Sequence, residues 1–380
     1  MEHMRKIHLA LASGTAVALA TQAFGGGVER STQSVGILFE EGTYAELSFG
    51  QVDPDASGDF VLDRSVSTGD MLASENIFTL SFKTDLSDRL VAALVLDQPV
   101  GARIRYPEGT GHPFAGSKAD LDARALTAML RYKFDGGFSV YGGLRAQQVE
   151  GFVALPTIPG YELTTNNDRE FGYMVGAAYE RPEIGLRVAL TYNSAIDHNF
   201  ESSESFLTPG GPAVLDDGFK TTIPQSVHLE AQTGIAANTL LFGSIRWVDW
   251  SEFEIDPPVY AAGIASLGQD YALAAYESDT ITYRIGVGRR FNENWAGAIT
   301  YIHEPDSGDI FGNLGPIDGR DAISLGVTYS RDNIKITGGV EYGWLGDALS
   351  QAPNGPPGTP VSDFRDNTSV SYGFRIGYYF

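Results

Sequence analysis

From Ser369 to Phe380 the chain alternates with a strict period of two. Val370, Tyr372, Phe374, Ile376, Tyr378 and Phe380 fall on one face; Ser369, Ser371, Gly373, Arg375, Gly377 and Tyr379 fall on the other. Successive side chains of a strand point to opposite sides, so this spacing predicts a β-strand with one wholly apolar, aromatic face. The same alternation recurs upstream. Leu126, Leu130, Tyr132 and Phe134 oppose Thr127, Arg131 and Lys133, and Leu186, Val188 and Leu190 oppose Arg187, Ala189 and Thr191. Val227 and Leu229 oppose His228 and Glu230, Ile323 and Leu325 oppose Ser324, and Ile334 and Ile336 oppose Lys335. A soluble sandwich would turn the apolar face into a core, whereas a transmembrane barrel turns it to lipid and lines its lumen with the polar face.

Connection lengths separate these two architectures. About fourteen strand-like segments begin near residues 44, 76, 89, 122, 138, 170, 186, 219, 239, 280, 296, 321, 334 and 366. Short turns such as Asp135-Gly136-Gly137 and Arg331-Asp332-Asn333 alternate with long loops at about 52–75, 107–121, 154–169, 201–218, 254–279, 305–320 and 345–365. Short turns at one end and long loops at the other are the asymmetry of outer-membrane barrels. The expectation is an all-β fold, a transmembrane antiparallel β-barrel over residues 44–380.

The N-terminus points to the same compartment. Arg5 and Lys6 precede an apolar stretch from Ile7 to Ala20, with small-residue sites at Ala18-Leu19-Ala20 and Thr21-Gln22-Ala23. This reads as a cleaved secretory signal peptide over residues 1–23. The rest of the chain has no apolar run long enough to cross a bilayer as a helix. With no cysteine, a secreted chain must rely on packing and backbone hydrogen bonds. A net charge of -22 argues against nucleic acid as a partner. Acids crowd the long loops: Asp53, Asp55, Asp59, Asp63, Glu201, Glu204, Asp216, Asp217, Asp306 and Asp309. They read as a solvated surface, or as oxygen ligands for divalent cations bridging to lipopolysaccharide phosphates.

Enzymatic groups are not apparent. None of the six histidines stands in an H-E-x-x-H frame. His228 beside Glu230 is the one plausible dyad, and it reads better as a hydrogen-bonded wall residue. No catalytic residue, metal site or cofactor is expected.

Three short motifs carry a family resemblance. Leu96-Asp97-Gln98-Pro99-Val100-Gly101 resembles the Pro-Phe-Gly segment in the third strand of the FadL-type (OmpP1/FadL/TodX) outer-membrane transporters. Ile223-Pro224-Gln225-Ser226-Val227 and Trp250-Ser251-Glu252-Phe253 resemble the family's Leu-Pro-Glu strand start and Trp-Ser-x-Phe strand end. Ser34–Gly50 resembles a hatch peptide running into the first strand, giving a short hatch over residues 24–43. The terminal Phe380 likewise resembles the signature read by the barrel-assembly machinery.

The resemblance implies passive outer-membrane transport of hydrophobic small molecules, long-chain fatty acids or aromatic hydrocarbons, with lateral release into the membrane. Pro99 removes a ladder donor and Gly101 weakens packing beside it, which favours a kink or a gap in the wall there, or an ordinary bulge. A carboxylate cargo would need a cation. Strand parity turns Arg145, Arg187, Arg246 and Arg284 toward the lumen, as ligand contacts or as partners of Glu230, Asp249 and Glu341. The alternatives are a hydrophilic diffusion porin and a structural or adhesive barrel.

Overall fold

The computed structural model describes residues 27–353 and 355–380. The expected signal peptide lies outside the described residues. Fourteen antiparallel strands close into one barrel. They are β1 (Tyr44–Asp55), β2 (Glu75–Asp85), β3 (Leu90–Asp97 and Gly101–Arg105), β4 (Lys118–Lys133), β5 (Phe138–Leu155) and β6 (Asp168–Arg181). Next come β7 (Leu186–Asn193 and Ile196–Thr208), β8 (Gly211–Ile223 and Ser226–Ala236), β9 (Thr239–Val248) and β10 (Thr280–Arg290). The last four are β11 (Trp295–Glu304), β12 (Arg320–Arg331), β13 (Ile334–Leu345) and β14 (Thr368–Tyr379). Each strand pairs with its sequence neighbours, and β1 closes on β14 from Tyr44 opposite Tyr379 to Asp55 opposite Thr368. Closure of β1 on β14 removes the free edges an open sheet would have.

Exposure decides between barrel and sandwich. In β14, Val370, Tyr372, Phe374 and Ile376 are 41–45 % exposed while Ser369 and Ser371 are at most 2 % exposed. Apolar residues outside and polar residues inside invert a soluble core and fit a lipid-facing wall. Ring pairs sit near the short-turn end, Phe138 with Tyr179 at 4.6 Å and Trp295 with Tyr329 at 4.9 Å. Tyr342 and Trp344, 5.0 Å apart, lie toward the other. These are the positions of interfacial girdles.

The pattern reverses at one end. In β7, Leu190 is exposed and Thr191 and Asn193 are buried, but beyond Ser194-Ala195 His198 and Phe200 are buried and Asp197, Asn199 and Glu201 exposed. Opposite, β8 breaks at Pro224-Gln225, above which Thr221 and Ile223 point inward. Apolar-in and polar-out is the pattern of a strand surrounded by water. The loop expected at 201–218 is therefore a correction: Ile196–Thr208 and Gly211–Ile223 form a long hairpin joined at Thr208 and Gly211. Its polar composition reflects its departure from lipid and not a loss of strand structure.

The remaining long connections fold over this end. Gly58–Phe60, Asp63–Ser67, Ile310–Gly312, Ala348–Gln351 and Pro360–Phe364 form a five-stranded sheet. Helix α1 (Pro258–Ser266) buries Tyr260 and Ile264 in one cluster with Tyr106, Phe114, Phe311 and Phe364. Glu204, read from sequence as a solvated acid, is 1 % exposed. Its carboxylate accepts hydrogen bonds from the backbone N–H groups of Val259 (2.9 Å) and Tyr260 (3.0 Å) and from the Tyr161 hydroxyl (2.8 Å). It thus satisfies two free donors at the start of α1. No cluster of three or more acidic, histidine or cysteine side chains able to hold a metal occurs among the described residues.

Candidate binding pocket and wall gap

All four arginines expected in the lumen point inward, and two of them, Arg187 and Arg246, meet the chain segment that precedes β1. Arg145 donates to Thr127 Oγ1 (3.0 Å) and Asn193 Oδ1 (3.2 Å). Arg246 donates through Nε to Glu29 Oε1 at 2.7 Å. The Arg187 guanidinium lies 4.7 Å from the centre of the Phe39 ring, which also carries Arg131 at 4.1 Å. Stacking of a guanidinium on an aromatic face is favourable electrostatically. Arg284 shares a polar cavity with His228, Glu230 and Glu341. The Glu230 side chain is occupied by Ser34, whose hydroxyl donates to it at 2.6 Å. His228 is buried in the wall facing the same cavity, and among the described residues its ring nitrogens have no hydrogen-bond partner.

β3 is interrupted where the sequence places Pro99 and Gly101. Pairing of β2 with β3 runs from Asp85–Val91 to Leu80–Leu96 and stops. It resumes only at the bridge between Leu72 and Ile104. Among the described residues, 74–79 and 97–102 form no backbone ladder with each other. A single side-chain contact crosses the gap, the Phe78 N–H donating to Gln98 Oε1 at 2.9 Å. On the other side β3 stays bonded to β4, up to Asp97 opposite Ala125 and again from Gly101 opposite Asp122. Three residues lie between the two pairs on β3 and two on β4, so β3 carries one extra residue, a bulge. The wall is thus open on one flank only, and Phe78, Leu80 and Leu96 border it on the outside.

The segment preceding β1 covers this gap from within. Pro99 O accepts from Arg30 N (2.9 Å) and Ser31 N (3.3 Å), and Gly101 N donates to Val28 O (2.8 Å). Arg30 is buried against Gly101, where a Cβ would collide with its guanidinium. Glycine at this position lets the guanidinium lie against the strand, and a larger residue would displace it. The same guanidinium pairs with Glu75 of β2 and reaches Asp122 of β4 at 3.5 Å. Arg30, absent from the arginines picked by strand parity, lies before the first strand, so parity had no means of finding it.

Above the gap lies an apolar pocket. About 940 Å³ of space, its mouth included, is bounded by Ala102, Leu121, Val149, Phe200, Phe219 and Tyr276 among others, with Val28 of the N-terminal segment beside Ala102. No lysine or arginine lines it. Its charged residue, Asp120, is bound by Arg105 at 2.6 and 2.5 Å, and the Thr165 hydroxyl accepts from Gly151 N at 2.8 Å. Thus the four sequence-selected arginines sit in a polar layer below, and none of them reaches the pocket wall. Phe200 and Phe219, 5.4 Å apart, flank the 201–218 stretch that read as a loop and were not among the residues picked from sequence. The alternation of His198 and Phe200 with Asp197, Asn199 and Glu201 was the signal that could have found them.

Comparisons with known proteins agree with this geometry. No curated protein matches the sequence. Among solved structures, a Pseudomonas aeruginosa FadL homologue superposes with a TM-score of 0.67 at 15 % identity, covering 90 % of this chain and 92 % of its own. The Pseudomonas putida toluene transporter TodX gives 0.65 at 13 % identity, covering 94 % and 96 %. The Ralstonia pickettii toluene transporter TbuX gives 0.61 at 14 % identity, covering 90 % of each. At such identities these likenesses establish the barrel fold. The family profile for outer membrane protein transport proteins (OMPP1/FadL/TodX) matches residues 40–354, and the chain belongs to that family of outer-membrane barrels.

Proposed function

We propose that this barrel passively carries small hydrophobic molecules through the outer membrane, taking them into the apolar pocket and releasing them sideways through the gap between β2 and β3. The observation that carries this reading is the adjacency of the two features. Ala102 lines the pocket one residue after Gly101 borders the gap, and Val28 touches both. An apolar solute leaving there enters hydrocarbon without crossing water, a transfer favourable by about 0.8 kcal/mol per CH₂. The residues 27–43, the described part of the proposed hatch at 24–43, bond to β3, β4, β8 and β9, and we infer that they obstruct straight flow through the lumen. This disfavours a hydrophilic diffusion porin. Aromatic hydrocarbons, the cargo named for the toluene transporters of similar fold, suit a pocket without a cation better than long-chain fatty acids do. Of the four arginines read from sequence as ligand contacts, Arg187 and Arg246 are proposed instead to hold the N-terminal segment.

Uptake of labelled toluene and labelled oleate by cells producing the protein tests this. The comparison is wild type against a Pro99→Ala/Gly101→Val double variant whose barrel still resists heat unfolding on gels. Toluene entry that depends on the protein and falls toward the vector control in the variant is the expected outcome. Entry indifferent to the protein overturns the transport reading, and entry unaffected by the double variant overturns lateral release.

A further inference from the structure

The pocket is not uniformly apolar. His198 and Thr221 both line it and stand directly opposite each other across the β7–β8 ladder. Directly opposed residues of a strand pair hold their Cβ atoms about 5 Å apart, so the two side chains share one corner. The Thr221 hydroxyl is buried, 3 % exposed, and has no hydrogen-bond partner among the described residues. His198 is fully buried. Its Nδ1 lies 2.9 Å from Asp168 Oδ2. A carboxylate there fixes the tautomer: Nδ1 carries the proton and Nε2 is left as an acceptor. Gln147 Oε1 lies 3.5 Å from Nε2, at the outer limit of a hydrogen bond, and among the described residues the Gln147 amide nitrogen has no partner.

We propose that the pocket is built for an uncharged hydrophobic cargo bearing one hydroxyl group, an alcohol or a phenol, read by Thr221 and His198. The proposal rests on the pocket being the cargo site. An acceptor and a hydroxyl side by side complement a cargo hydroxyl, which donates to His198 Nε2 and accepts from Thr221 Oγ1. A carboxylate cargo would bring a charge into a lining whose single acid is already bound to Arg105 and which offers no cation. A bare hydrocarbon would leave the Thr221 hydroxyl dry and unpaired, which is costly for a buried polar group. Of the other polar lining side chains, Thr165 and Asp120 are already bonded within the wall, and Tyr276 brings a further hydroxyl to the lining.

The test is calorimetric binding to the purified full barrel at pH 7 with three molecules of similar shape: 4-ethylphenol, ethylbenzene and 4-ethylbenzoate. Free concentrations are corrected for partition into detergent. At that pH the phenol is neutral and the benzoate ionised. Wild type is expected to prefer the phenol over ethylbenzene by roughly five- to tenfold, the worth of a net hydrogen bond, and to bind the benzoate most weakly. In Thr221→Val and His198→Phe the phenol-to-ethylbenzene ratio should fall toward one, and Thr221→Ser should restore it. Heat-modifiable migration on gels verifies that each variant is folded. A ratio unchanged in both variants, or a benzoate bound as tightly as the phenol, overturns the hydroxyl reading while leaving the pocket as cargo site. Failure of all three to bind overturns the pocket reading and this proposal together.

Discussion

Arg30 shows how one residue couples the N-terminal segment to the wall. It and Glu75 are each 3 % exposed, and removing one partner of such a buried pair typically costs about 3–5 kcal/mol. The local bonds around it are those of Pro99 O, Gly101 N and the Ser31 hydroxyl to Asp97 (2.8 Å). At about 1 kcal/mol each, the four of them together are only about as large as that loss. Arg30→Ala should therefore release residues 28–31 instead of unfolding the barrel. Hydrogen exchange should quicken at the amides of Arg30, Ser31 and Gly101 while heat resistance of the barrel stays at the wild-type level. Protection unchanged at those amides would show that the ion pair does not hold the segment. None of this was legible beforehand, since an arginine outside any periodic segment has no face from which to infer a partner.

At the scale of elements, the hairpin of β7 and β8 supports the cap by way of Glu204. Replacing an N-capping acceptor costs about 1 kcal/mol, and leaving the buried Tyr161 hydroxyl unpaired adds roughly 1–3 kcal/mol. A nine-residue helix with one buried face cannot absorb this easily. Glu204→Ala is expected to expose Tyr260 and Tyr271 to chymotrypsin in the 254–279 connection, with barrel migration on gels unchanged. Glu204→Gln, which keeps one carbonyl acceptor, should be cut more slowly than the alanine variant. Equal cutting of wild type and Glu204→Ala would refute the clasp. The strands themselves were readable wherever they cross lipid, because there alternation and environment agree. β3 was readable down to its interruption, as Pro99 announces a missing donor. Which neighbour loses the ladder was not readable: β4 follows the bulge and β2 does not until the Leu72–Ile104 bridge above it.

For the molecule as a whole, the cap has a titratable seam. His112 is 3 % exposed; its Nδ1 accepts from Phe114 N at 3.1 Å and its Nε2 lies 3.1 Å from Ser362 Oγ. Burial among Phe60, Tyr106 and Phe114 pushes its pKa down from 6.5 to about 4. The unfolded cap binds the proton first, so this contribution is complete above pH 6.5 and is lost as pH falls toward 4. Over that interval it amounts to roughly 3 kcal/mol. Protonation also removes the acceptor used by Phe114. Protease sensitivity of the 107–121 connection should accordingly rise between pH 6.5 and 4, and His112→Gln should flatten that dependence. A wild-type cap equally resistant at both ends of the range would count against it.

The sequence by itself determined the membrane barrel, its strand count and which face of each lipid-spanning strand meets the bilayer. These properties are local: a two-residue period records the solvent on either side of a strand, and turn length records the end at which it lies. Tertiary structure decided everything that depends on depth or on distant partners. The phase change at Ser194-Ala195 and Pro224-Gln225 turns Phe200 and Thr221 inward, and closure then gathers them with Ala102, Leu121 and Tyr276 around one cavity. It likewise seated Arg30 against Gly101 and Glu75, and placed the four lumenal arginines below the pocket. Alternation carries no information about height along the barrel axis or about contacts across its lumen, and those two quantities are what make the gap and the pocket neighbours.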